Sequence, residues 1–145
     1  MWTYEHTIET SADRNAIFAS FKDVSTWPEW NPGVERIDLD GRFVSGTTGT
    51  MFMPGQEALR FRLVWVGDAE GFEDETEIAE AGVVVRVRHT LEALRDRGTR
   101  ITYSAIIDGP AADEVGPSIG PAITADFPEV MAALAARAEA IASRP

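Results

Sequence analysis

Four successive runs in this chain alternate apolar and polar residues with a period of two. In Ala58 to Val66, Leu59, Phe61, Leu63 and Trp65 stand opposite Arg60 and Arg62. Phe72 to Ile78 alternates against Glu73, Glu75 and Glu77. Val83 to Leu91 puts Val83, Val85, Val87, His89 and Leu91 on one side and Arg86 and Arg88 on the other. Arg100 to Ile107 closes the series, with Ile101, Tyr103, Ala105 and Ile107 together. A period of two is the repeat of a strand with one buried face. The turns between the runs, at Gly67 to Gly71, Ala81-Gly82 and Asp96 to Gly98, are too short for a crossover helix. Neighbouring strands must therefore pair antiparallel, as a meander with one apolar and one charged face.

Such a face needs a cover, and the end of the chain supplies one. Pro121 to Ile141 carries Ile123, Phe127, Val130, Met131, Leu134 and Ile141, with Ala138 between the last two. Steps of three and four place them on one stripe of a helix, and the alanines between favour that helix. Asp126 and Glu129 form a capping pattern, and Pro128 is tolerated in a first turn, so a kink or restart is expected there. Gly116, Pro117, Gly120 and Pro121 are expected to interrupt Ala111 to Ala125.

The chain begins with another alternating run, Trp2 to Thr10. Ser11 to Asp13 then caps a short helix over about 13–21. In DVSTWPEWNPG two prolines limit any helix to a turn, ending at a bend over Asn31 to Gly33. Trp27 and Trp30 are expected to pack these helices onto the sheet. Val34 to Leu39 and Thr47 to Met53 add two more strands. The expected order is one strand, two short helices, six strands and a long helix, an α+β fold with helices on one face.

The 145 residues suit a single domain, 1–145. Thirteen basic against 24 acidic residues leave a net charge of −11, which repels phosphate backbones and argues against nucleic-acid binding. No apolar run approaches the length of a membrane span. The first residues lack the pattern of a secretory signal, and there is no cysteine, so a cytoplasmic protein is expected. Absence of cysteine removes thiol catalysis and thiolate metal sites. The two histidines have no ligand-like spacing, so no metal is expected. No glycine-rich nucleotide motif and no nucleophile elbow occur, and no cofactor is expected. The acidic stretch Asp68 to Glu80 lacks a calcium-loop pattern.

Several segments resemble the helix-grip, START-like superfamily known as SRPBCC, and within it the polyketide cyclase/dehydrase-like proteins. They are IETSADRNAIFASFKDVSTWPEWNPGV, VVVRVRHTLEAL, GTRITYSAIIDGP and FPEVMAALAARAEA, in that order. The segment WPEWNP is the most specific of these. The resemblance implies a seven-stranded antiparallel sheet gripping the long helix, with a ligand cavity between. It also implies apolar or aromatic small-molecule ligands. Some members of the family are cyclases, aromatases or hydrolases. The superfamily has no single catalytic motif, so an activity does not follow from the fold.

Read by strand parity, the inward polar residues are Tyr4, His6, Thr76, His89 and Tyr103. The expected ligand-lining set is Phe61, Leu63, Val87, His89 and Tyr103 from the sheet, with Ile123, Phe127, Met131 and Leu134 from the helix. His89 and Tyr103 are the candidate catalytic pair: a neutral imidazole beside a phenol could move a proton on an enolisable carbonyl. The sequence leaves three readings open: a binding protein for an apolar, polyketide- or lipid-like molecule, a cyclase or dehydratase, and a non-catalytic interaction or stress-related module. Homodimerisation through an edge strand is also open. Arg60, Arg62, Arg86 and Arg88 are expected to pair with Glu73, Glu75 and Glu77 on the outer face.

Overall fold

The computed structural model describes residues 1–142. The seven strands are β1 (Trp2–Thr10), β2 (Arg36–Leu39), β3 (Thr48–Phe52), β4 (Leu59–Gly67), β5 (Gly71–Ile78), β6 (Val83–Ala93) and β7 (Thr99–Asp108). They form one antiparallel sheet in the order β1-β7-β6-β5-β4-β3-β2. Six strands follow the meander that the alternation predicts. The first strand returns to the far edge, with Trp2 opposite Ile107 and Thr10 opposite Thr99.

Between β1 and β2 lie α1 (Arg14–Lys22), a 3-10 turn over Val24–Thr26, and α2 (Trp27–Trp30). Asp13 caps α1 by accepting from the Ala16 amide at 2.8 Å. Both tryptophans pin this segment down. The Trp27 indole donates to the Phe21 carbonyl at 3.0 Å, and Trp30 to the Thr26 hydroxyl at 3.2 Å. Their rings are buried against the core.

One strand departs from simple alternation. In β4 the pairing slips between Leu63 and Trp65, so Leu63 faces Asp74 and Trp65 faces Glu73. The extra residue reverses the parity beyond it. Trp65 therefore lies on the charged face, with the Arg88 guanidinium 4.4 Å above its ring, and Val66 takes the inward place. The expectation that Trp65 shares a side with Phe61 and Leu63 is corrected by this bulge.

The charged face is an ion-pair lattice. Glu75 binds Arg86 at 2.8 Å and lies 3.7 Å from Arg62, and Arg88 lies 3.8 Å from Glu73. Arg60 departs from the expected pattern. It pairs with Asp40 at 2.6 Å and donates to Thr50, because its register neighbours belong to the β3 side of the sheet.

The closing helix is two helices, α3 (Ala112–Thr124) and α4 (Phe127–Ala142). The restart lies where the capping pattern puts it, since Pro128 has no N–H for the Thr124 carbonyl four residues back. Gly116 to Pro121 does not interrupt α3, contrary to expectation. Packing outweighs propensity here. Gly116 and Gly120 lie one turn apart against the Trp2 side chain; a Cβ at Gly120 would sit 2.5 Å from its ring. Two proline-flanked glycines thus make the flat face on which the first tryptophan lies.

The two helices serve different cores. From α4, Phe127, Val130, Met131, Leu134 and Ala138 join α1, the tryptophans and the centre of the sheet. Ile123 packs from α3 against the group around Val83, Val85, Ile107 and Ala112. Ile141 is 42% exposed and lies outside the stripe it was assigned to.

Candidate functional site

Three neighbouring strands bring the inward polar groups together. His89 lies directly between Phe72 of β5 and Tyr103 of β7, and His6 of β1 stands opposite Tyr103. The His89 ring stacks on Phe72, with centroids 4.0 Å apart, and meets Tyr103 edge-on at 4.4 Å. Its Nδ1 is 3.2 Å from the Phe72 carbonyl. A carbonyl only accepts, so Nδ1 carries the hydrogen and the imidazole is fixed in one tautomer. Burial pushes its pKa down to about 3, against a smaller upward effect of that bond. His89 is a neutral core residue at ordinary pH.

Tyr103 is 3% exposed. Phe127 closes over its ring at 5.5 Å. Among the described residues its hydroxyl has no hydrogen-bond partner. Burial holds the phenol un-ionised, and the charges of Asp74 and Asp126 add to that.

Asp74 is the functional candidate that parity reading passed over. It lies on β5 between the inward Phe72 and Thr76, flanked in register by Leu63 and Val87. The signal was present in the period-two pattern, but the surrounding glutamates made the run look uniformly acidic. Its pKa is raised to about 7, first by burial and then by the charge of Glu73. Asp126, at the α3–α4 break, is also raised, mainly by burial. Its carboxylate faces the turn at Gly33.

Asp74 lines a small cleft with Trp27, Ile37, Met51, Phe61 and Thr76. The cleft opens between α2 and the β2–β5 half of the sheet. Its free volume is about 20 Å³, enough for one water. A wider surface groove of about 220 Å³ borders it at Ile37 and is walled by Val24, Ser25, Pro28, Glu35 and Arg36.

The expected lining residues are distributed around this cleft unevenly. Phe61 borders it. Leu63, Met131 and Leu134 are fully buried in the main core, where Phe127 also packs. Val87 is partly buried between the two cores, and Ile123 belongs to the second. His89 and Tyr103 converge on each other, with Phe21, Phe72 and Phe127 filling the space around them. Among the described residues no three histidine or acidic side chains are grouped to hold a metal ion, and no helix is long and apolar enough to cross a membrane.

A sequence model of the family described as polyketide cyclase / dehydrase and lipid transport matches residues 1–139. No curated protein matches the chain by sequence. Among solved structures, a norcoclaurine synthase point mutant from Thalictrum flavum, in complex with a transition-state analogue, is similar at 15% identity. The match covers 97% of this chain and 96% of that one, with a TM-score of 0.77. A hypothetical protein from Helicobacter pylori is 16% identical over 94% of this chain and 86% of its own, with a TM-score of 0.71. The di-domain ARO/CYC StfQ from the steffimycin biosynthetic pathway is 14% identical; 98% of this chain covers 52% of it, at a TM-score of 0.73. At such identities the likeness establishes the helix-grip fold and not an activity.

Proposed function

Because the chain belongs to the polyketide cyclase/dehydrase and lipid transport family, we propose that it binds an apolar or aromatic small molecule at the cleft under α2. Asp74 is the polar group of that cleft, and the Tyr103 hydroxyl lies behind it in the core, two strands away but near enough to feel its charge. The observation that carries this reading is the buried Tyr103 hydroxyl without a partner. A buried unsatisfied hydroxyl costs about 1–3 kcal/mol, and native cores keep few of them. Close enough to act on it electrostatically is the half-buried carboxyl of Asp74, in a cleft walled by Trp27, Met51 and Phe61. Apolar walls with a few convergent polar groups are the composition of a small-molecule site.

The body of a ligand needs more room than one water. Met51 is only partly buried and flexible, and its movement would join the cleft to the groove beyond Ile37. The packed residues Leu63, Val87, His89, Phe127, Met131 and Leu134 would form the wall behind the ligand. Ile123 lies apart from it.

A thermal-shift panel of neutral aromatic and polyketide-like compounds tests the reading. A true ligand at about a hundredfold over its Kd raises the melting temperature by roughly 5–10 °C. Met51→Trp, which fills the mouth, removes the shift. A panel with no stabilising compound counts against a binding site and favours an interaction module with a filled core.

The raised carboxyl of Asp74, near enough to act on the phenol electrostatically, supports a second reading, a cyclase or dehydratase. Tyr103 and Asp74 would then exchange protons with an enolisable carbonyl. His89, first considered for that task, would support the pair by packing. Turnover retained in His89→Asn but lost in Tyr103→Phe would separate the roles; the reverse result would return His89 to the mechanism.

A further inference from the structure

The charges around the cleft select among ligands. Asp74 is the charged group in its lining, and Asp126 is the second carboxylate close enough to act on Tyr103. Basic side chains of the sheet are engaged elsewhere. Arg62, Arg86 and Arg88 meet Glu73 and Glu75 on the opposite face, and Arg60 meets Asp40. Arg36, which walls the outer groove, pairs with Asp38 and covers the Phe52 ring. Arg137 of α4 is held by Ser20 and Glu29. A carboxylate or phosphate entering the cleft would meet Asp74 without a cation to neutralise it.

The free volume beside Asp74 matches one water, the size of an ammonium head group. Trp27 and Phe61 offer aromatic surface at the same place, which attracts a cation. The Tyr103 oxygen is a free acceptor. Among the described residues no side chain or backbone donor is bonded to the Asp74 carboxyl, whose raised pKa has burial and Glu73 as its causes and no hydrogen bond opposing them. Val87 and Leu63, its register neighbours, are apolar. An ammonium would supply both the missing charge and the missing donors.

We propose that the polar end of the cleft takes a protonated amine, so that the ligand is an aromatic or apolar amine and not an acid. The inference rests on the binding reading above and names its substrate class. The ammonium sits against the Asp74 carboxylate beside Trp27 and Phe61, and the apolar body lies along Met51 and Ile37 toward the groove.

Three compounds with one skeleton test it: 2-phenylethylamine, 2-phenylethanol and phenylacetate, titrated into the full chain by calorimetry at pH 7.5. The amine is expected to bind at least tenfold more tightly than the alcohol, and the acid most weakly. In Asp74→Asn the amine loses its advantage and falls to the level of the alcohol. Amine binding at lower pH releases a proton, visible as a heat that depends on the buffer, and Asp74→Asn removes this signal. Equal binding of amine and alcohol, unchanged in Asp74→Asn, overturns the charge preference and leaves the binding site standing. No binding by any of the three overturns the inference together with the site on which it rests.

Discussion

Asp74, half-buried in the cleft, and His89, buried in the core, are both ionisable, and loss of solvent moves them in opposite directions. The Asp74 pKa in the folded chain, about 7, lies above its unfolded value near 3.8. The folded state holds that proton more tightly, so this group costs stability progressively as pH rises from about 4 to about 7. The His89 value, about 3, lies below its unfolded value of 6.5. The stability that depends on its neutral ring is lost as pH falls from 6.5 toward 3. Between about 4 and 6.5 the folded and unfolded states hold the same number of protons on this pair, and the two slopes cancel. Asp74→Asn uncovers the histidine. Denaturant unfolding of that variant should show stability rising with pH across this window. Its advantage over the natural chain should grow toward pH 7, to an upper figure of ~4 kcal/mol. A constant difference at all pH values would show that the carboxyl is not buried in this way. For His89, ring proton shifts in NMR should stay those of a neutral imidazole down to about pH 4.

At the level of elements, the sheet and its order were readable because each strand has one apolar face. A period of two survives almost any local noise, and short turns leave only antiparallel pairing. The places where reading failed are places where one residue changes the geometry. One extra residue in β4 turned Trp65 outward, and no sequence pattern announces a bulge. The glycine-proline stretch of α3 looked like a helix breaker because its partner, Trp2, stands more than a hundred residues away. Asp74 was hidden among glutamates that face the other way. Of the proposed site, parity pointed to Phe61 and Tyr103 but not to the carboxyl on the strand between theirs. Gly120→Ala should destabilise by about 1–3 kcal/mol, because its Cβ collides with the Trp2 ring. Better helix propensity recovers only about 1 kcal/mol. Combined with Trp2→Leu, the loss should be less than additive in a double-mutant cycle. Full additivity would mean that the two do not touch.

For the molecule as a whole, the helix-grip arrangement packs its larger apolar side chains mainly into two cores and, among the described residues, leaves one buried side-chain hydroxyl without a partner. The outer ion pairs are exposed, and such pairs contribute at most about 1 kcal/mol each. They hold the arginines away from the cleft more than they stabilise the fold. Among the described residues the Tyr103 hydroxyl is the buried side-chain group left without a partner, and Asp74 is a half-buried carboxyl whose proton the fold favours. The unpartnered Tyr103 hydroxyl is therefore a cost to the ligand-free protein. The direct measurement is the unfolding free energy of Tyr103→Phe against the natural chain, without ligand, at one pH. The variant keeps the ring contacts with His89 and Phe127 and removes only the unpaired oxygen. A gain of about 1–3 kcal/mol is predicted. An equal or lower stability would show that the hydroxyl already has its partner in the folded chain, and the polar end of the cleft would not be waiting for a ligand.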